Sequence, residues 1–184
     1  VLYLEGPGGV GYSWAFDWKS KKFNDVIAAS DFFSSLQSFF KKFPYLADNP
    51  LWLSGESYAG IYVPYLAWKI HEFNTNAKIT KDTPIPLQGI LVGNPATHWD
   101  YDTYNSYWPM AYMHNLMDTD TYLTLAEDEC KMYFRDVKPA NLTQACILAL
   151  DDFNENTERI NWYDIYRDVY DTGSLRSRVG KTVN

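Results

Sequence analysis

The chain has 184 residues, enough for one sizeable core but short for two independent domains, and 46% hydrophobic and 17% aromatic residues provide ample surface to bury. A formal net charge of −7 argues against nucleic acid or an anionic membrane surface as partner. No apolar run approaches the roughly 18 residues that a membrane-spanning helix needs.

Residues 1–5 read as a buried strand with nothing polar leading into it, so the sequence reads as an interior piece of a longer polypeptide. GPGGVGYSW at 6–14 is a glycine-rich loop. It lacks the Lys-Ser/Thr of a P-loop and does not open a helix as a dinucleotide fingerprint does. From 25 to 43, Val26, Ile27, Phe32, Phe33, Leu36, Phe39 and Phe40 fall at helical spacing. Asn24 stands at the N-cap position and Pro44 stops the helix. A second strand is expected over 51–54, a helix from about 58 to 74, a polar excursion over 76–86 and a third strand within 87–95.

This alternation of strand and helix predicts a parallel α/β sheet. Beyond residue 100 the character changes. Helical periodicity runs through 118–135, 142–152 and 160–171 with no clear strand. The expected division is therefore a partial α/β core over 1–100 and a helical insertion or cap over 101–184, ending in a polar, basic linker. No internal repeat is present.

The chemistry concentrates at Gly55-Glu56-Ser57-Tyr58-Ala59-Gly60, a G-x-S-x-[AG] pattern with a strand before it and a helix after it. A serine at such an elbow is held in a strained turn with its hydroxyl above the sheet edge, and its neighbours must be small because strand and helix backbones pass close by. Gly55 and Ala59 occupy those two places. The main-chain N–H of Tyr58, at the helix N-terminus, would point at a developing oxyanion. The alternative role for Ser57 is a simple helix N-cap.

Cys130 and Cys146 by count alone leave their pairing open. They flank the sequon Asn141-Leu142-Thr143, and together these features point to an oxidising, secretory compartment. The residue pattern supports neither a metal site nor a cofactor site.

GESYAGIYVPYLA resembles the nucleophile segment of the serine carboxypeptidase family of α/β-hydrolases almost residue for residue, including Pro64 inside the helix. VLYLEGPGGVGYSW, ILVGNPATHWD and INWYDIY resemble further family segments in the same order. Two departures are Asn94-Pro95, where the family usually has Asn-Gly, and the richer Pro7-Gly8-Gly9. The resemblance implies an α/β-hydrolase fold and an exopeptidase that removes C-terminal residues of peptides through an acyl-enzyme on Ser57. It implies that Glu56 helps bind the substrate's C-terminal carboxylate by sharing a proton, which favours acidic pH. It also implies that Tyr58 lines the pocket beside the scissile bond, that Cys130 and Cys146 pair within the insertion, and that Asn141 is a glycosylation site. Lysosomal, vacuolar or extracellular localisation follows.

A nucleophilic serine needs a base and an orienting acid, which in α/β-hydrolases follow it in the order Asp, then His. His71 lies some four turns along the helix, about 20 Å from Ser57, and cannot reach. Asp100 and His114 follow in the right order but read as ordinary polar residues of a turn and helix. The resemblance implies that the acid and base lie beyond this chain, and that a glycine-rich oxyanion and carboxylate-binding motif precedes Val1. The remaining polypeptide, or a second processed chain, is then a necessary partner. Two other functions share the residues: an acyltransferase of the same fold, and a non-catalytic remnant with a binding or structural role. Glu56 favours the peptidase over the acyltransferase, whose members often carry Asp there.

Overall fold

The structure is a computed structural model that describes residues 1–14, 23–80, 82–98, 101, 102, 104–126, 130 and 142–169. The chain divides into two compact units, Val1–His98 and the part from Trp99 onward.

In the first unit, α1 (Asp25–Lys42) begins where the Asn24 side chain accepts the Ile27 N–H at 2.9 Å. Asp25 sits at its positive end and Lys41 and Lys42 at its negative end, each matching the helix dipole. Pro44 cannot continue the helix, and a 3-10 turn over Pro44–Leu46 leads toward β1 (Leu51–Glu56). α2 (Ala59–Thr80) is the crossover to β2 (Leu87–Gly93), which pairs parallel to β1 with Leu53 beside Ile90 and Glu56 beside Gly93. Leu36 of α1, Leu53 of β1 and Val63, Leu66 and Ile70 of α2 form the core with Ile85. Burying a side chain of this size stabilises by about 1.5–3 kcal/mol.

Two expectations are corrected here. Residues 1–5 form no strand: Val1, Leu2, Tyr3 and Leu4 are exposed, and the described sheet has only β1 and β2. A strand exists only where a neighbour takes up its main-chain hydrogen bonds, and none does so for these residues among the described ones. Conversely, α2 runs past residue 74 to Thr80. Asn74 explains part of the extension, donating to the Ile85 carbonyl at 2.7 Å and accepting the Ile85 N–H at 2.8 Å. Ala77, one turn beyond the expected end, is buried.

The second unit contains α3 (Tyr104–Met113), α4 (Thr119–Ala126) and α5 (Gln144–Thr157), the last capped by Thr143, whose hydroxyl accepts the Cys146 N–H at 3.3 Å. Trp108, Ala111, Leu125, Leu150 and Phe153 form its core. The Trp108 and Phe153 rings meet edge to face at 5.1 Å, and Trp162 leans on Tyr107 at 4.6 Å. Cys130 and Cys146 are bonded, buried in that core, with their Cα atoms 5.5 Å apart.

The periodicity over 160–171 does not produce a helix in the described part. Ile160 instead bridges antiparallel to Asp168. Between them the Asn161 and Asp164 side chains accept the N–H groups of Tyr163 and Tyr166, at 3.0 and 3.3 Å. Such local side-chain bonds compete directly with helical ones. The proposed C-terminal linker lies outside the described residues.

Candidate active site at the β1 to α2 elbow

β1 ends at Glu56 and α2 begins at Ala59, so the chain must reverse direction within Ser57 and Tyr58. Ser57 does this with φ 59°, a left-handed conformation that costs a non-glycine residue on the order of 1–3 kcal/mol. Three main-chain hydrogen bonds hold it there. Its N–H donates to the Gly93 carbonyl, and its own carbonyl accepts from Gly60 and from Ala96, all at 3.0 Å. The end of β2 and the loop after it thus clamp the turn.

Close packing explains the small residues. A Cβ on Gly55 would lie 2.3 Å from the Ala59 Cβ, and one on Gly60 would lie 2.6 Å from both the Ala96 carbonyl oxygen and the Pro95 Cβ. Pro95, the departure noted in the sequence, packs directly against the elbow.

Ser57 is exposed, and its hydroxyl has no hydrogen-bond partner among the described residues. The N-cap alternative is not realised, because the Gly60 N–H bonds the Ser57 carbonyl rather than its hydroxyl. What remains is a presented hydroxyl on a rigid turn. With a base delivered to it, this is a nucleophile.

Glu56 is exposed at the C-terminal end of β1 and lines a cleft of about 1370 Å³ that runs along the strand. Leu2, Leu4, Phe32, Leu53, Val63 and Leu66 make much of this cleft apolar. Beside it, the glycine-rich loop curls over Glu5, whose carboxylate accepts the Tyr12 N–H at 2.6 Å and whose carbonyl accepts the Ser13 hydroxyl.

Tyr58 is half-buried and carries a contact that periodicity did not disclose. Its hydroxyl donates to the Asp25 carboxylate, 3.1 Å from Oδ1 and 3.3 Å from Oδ2. Partial burial first, then the Asp25 bond, raises the phenol above its ordinary value of 10.0, so it stays protonated. Its ring meets Tyr62 edge to face at 5.0 Å, and Tyr62 meets Phe32 at 5.7 Å. The sequence carried no signal for this contact, because 33 residues separate Asp25 from Tyr58.

His71 is exposed and lies against Trp68 at 5.5 Å, while the Nδ1 of His114 is 2.8 Å from the Met110 carbonyl in the second unit. His98 is exposed at the end of the first unit, and neither His71 nor His98, the histidines of that unit, bonds the Ser57 hydroxyl. Asp100 and Asn141 lie outside the described residues. No group of three or more His, Cys, Asp and Glu could hold a metal ion among the described residues.

A positive-φ serine between a parallel strand and a helix has the backbone geometry of the strand–turn–helix elbow found in the α/β-hydrolase fold. The chain belongs to the serine carboxypeptidase family, whose model matches residues 1–183. It is 34% identical to serine carboxypeptidase-like 42 of Arabidopsis thaliana, over 92% of this chain and 35% of that protein. It is 37% identical to the lysosomal protective protein of Mus musculus, over 72% of this chain and 27% of that one. Kex1(delta)p, a prohormone-processing carboxypeptidase from Saccharomyces cerevisiae, superposes with a TM-score of 0.65 at 25% identity, over 94% of this chain and 40% of its own. The chain therefore spans about a third of the length of the curated relatives it matches.

Proposed function

We propose that this chain supplies the nucleophile of a serine-type carboxypeptidase, with Ser57 attacking the last peptide bond of a substrate. The observation that carries this reading is the exposed Ser57 hydroxyl on a left-handed turn clamped by Gly93 and Ala96. Oγ forms a bond to the scissile carbonyl carbon while its proton passes to a base. The carbonyl oxygen gains charge and takes up the Tyr58 N–H. The C–N bond then breaks, the amine leaves with the proton, and water cleaves the resulting ester to restore Ser57.

In this reading the base and its orienting acid come from outside the chain, as does the glycine-rich part of the oxyanion site. Glu56 at the cleft wall shares a proton with the carboxylate of the departing residue, and Tyr58 borders the scissile bond. The apolar cleft beside β1, whose second edge has no partner among the described residues, is covered by the remaining polypeptide or by a second processed chain. The Cys130–Cys146 bond and the likeness to a lysosomal protein support a lysosomal, vacuolar or extracellular location. Among the described residues no helix is long and apolar enough to cross a membrane.

The test is labelling with an organophosphonate followed by peptide mass analysis. In the complete polypeptide, Ser57 takes the label and Ser57→Ala abolishes both labelling and peptide turnover. In residues 1–184 alone the hydroxyl lacks a base, so labelling is slow and turnover absent. Rapid stoichiometric labelling of the isolated chain, lost in His98→Ala or His114→Ala, would place the base inside it.

A further inference from the structure

The start of α1 and the elbow are joined by a side-chain bond, from the Tyr58 hydroxyl to both oxygens of Asp25. Asp25 is not occupied in capping its own helix, since Asn24 already accepts the Ile27 N–H. On its other side the Tyr58 ring is braced by Tyr62, and Tyr62 by Phe32 of α1. A tyrosine that only filled space would need no charged acceptor, and phenylalanine would serve. Tyr58 also directly follows Ser57, so whatever fixes its side chain limits rotation of the peptide plane between the two residues.

We propose that Asp25 is a positioning residue for the reaction at Ser57: by holding the Tyr58 hydroxyl, it sets the direction of the Tyr58 main-chain N–H toward the developing oxyanion. This rests on Ser57 being the nucleophile. Misdirecting an oxyanion donor costs less than removing it, and a hydrogen bond to a carboxylate is among the stronger protein hydrogen bonds. Loss of the tie therefore lowers kcat about tenfold and leaves KM within about twofold.

The experiment uses the complete polypeptide with Tyr58→Phe, Asp25→Ala, Asp25→Asn, the double variant Tyr58→Phe/Asp25→Ala, and Ser57→Ala. Turnover is normalised to active sites titrated with an organophosphonate. Tyr58→Phe and Asp25→Ala should each reduce kcat per titrated site about tenfold, and the double variant no further than either single one. Asp25→Asn keeps a carbonyl acceptor and should recover most of the rate. A fall in the number of titratable sites with kcat per site unchanged means a merely structural contact and overturns the proposal. Losses that multiply in the double variant, or that reside in KM, overturn it too. Turnover surviving in Ser57→Ala instead removes the nucleophile assignment itself, whatever the Asp25 variants do.

Discussion

A methyl group on Gly55 would meet the Ala59 Cβ at 2.3 Å and the Val63 Cγ2 at 3.1 Å. Neither can swing away, because Ala59 and Val63 belong to α2 and Val63 lies in the core of the first unit. Gly55→Ala must therefore push α2 off β1, and should cost about 1–3 kcal/mol, read as a lower urea midpoint of unfolding. Labelling of Ser57 in the complete protein should fall with it, since the turn is defined by the same two elements. Glu56 tests the chemistry rather than the packing. Glu56→Gln should weaken peptide hydrolysis and shift its pH dependence while affecting ester hydrolysis less, because an ester substrate lacks the C-terminal carboxylate that must share a proton. Equal losses on both substrates at every pH would instead assign Glu56 a structural role at the elbow.

Polar ties fix the ends of particular elements in each unit. The Asn74 amide makes two bonds to Ile85, spanning the gap between the last turns of α2 and the entry to β2. Asn74→Ala leaves the Ile85 N–H and carbonyl without that partner and should destabilise by about 1–3 kcal/mol, with amide exchange quickened first at the C-terminal end of α2. In the second unit, Asp118 accepts the Thr121 N–H at 2.7 Å at the start of α4, and that bond lowers its carboxyl below the ordinary 3.8. A carboxylate with a lowered folded value contributes stability above pH 3.8 and loses it as pH falls through the lowered value. Subtracting the unfolding curve of Asp118→Asn from that of the parent should leave a difference that is flat above that window and shrinks within it.

The two units owe their order to different sources. The second is stapled: Cys130 and Cys146, 16 residues apart in sequence, are bonded inside its core against Leu125, Leu150 and Phe153. Closing a loop of this length stabilises by about 3 kcal/mol, so Cys130→Ala/Cys146→Ala should lower the denaturation midpoint, and reductant should do the same to the parent. The first unit has no such staple among its described residues and depends on α1, α2 and a two-stranded sheet. Trp52, Ile90 and Leu91 of that sheet remain exposed, an apolar surface beside the cleft.

Local chemistry was enough for the sequence to determine where α1 begins and ends, because an Asn cap and a proline stop act within one helical turn. The elbow was equally legible: small residues around a serine between an apolar run and a helical pattern express a close approach that takes only six residues to write. Features set by distant partners were not legible. Residues 1–5 have a strand's composition and no ladder, because a strand is a property of two chains in contact. The stretch from Ile160 to Asp168 has a helix's periodicity, yet Asn161 and Asp164 accept main-chain N–H groups and turn it instead. The tie between Asp25 and Tyr58 had no sequence signal, since it depends on how α1 packs beside α2. Periodicity and caps report interactions within a few residues; only the packed fold decides which side chains meet across 33.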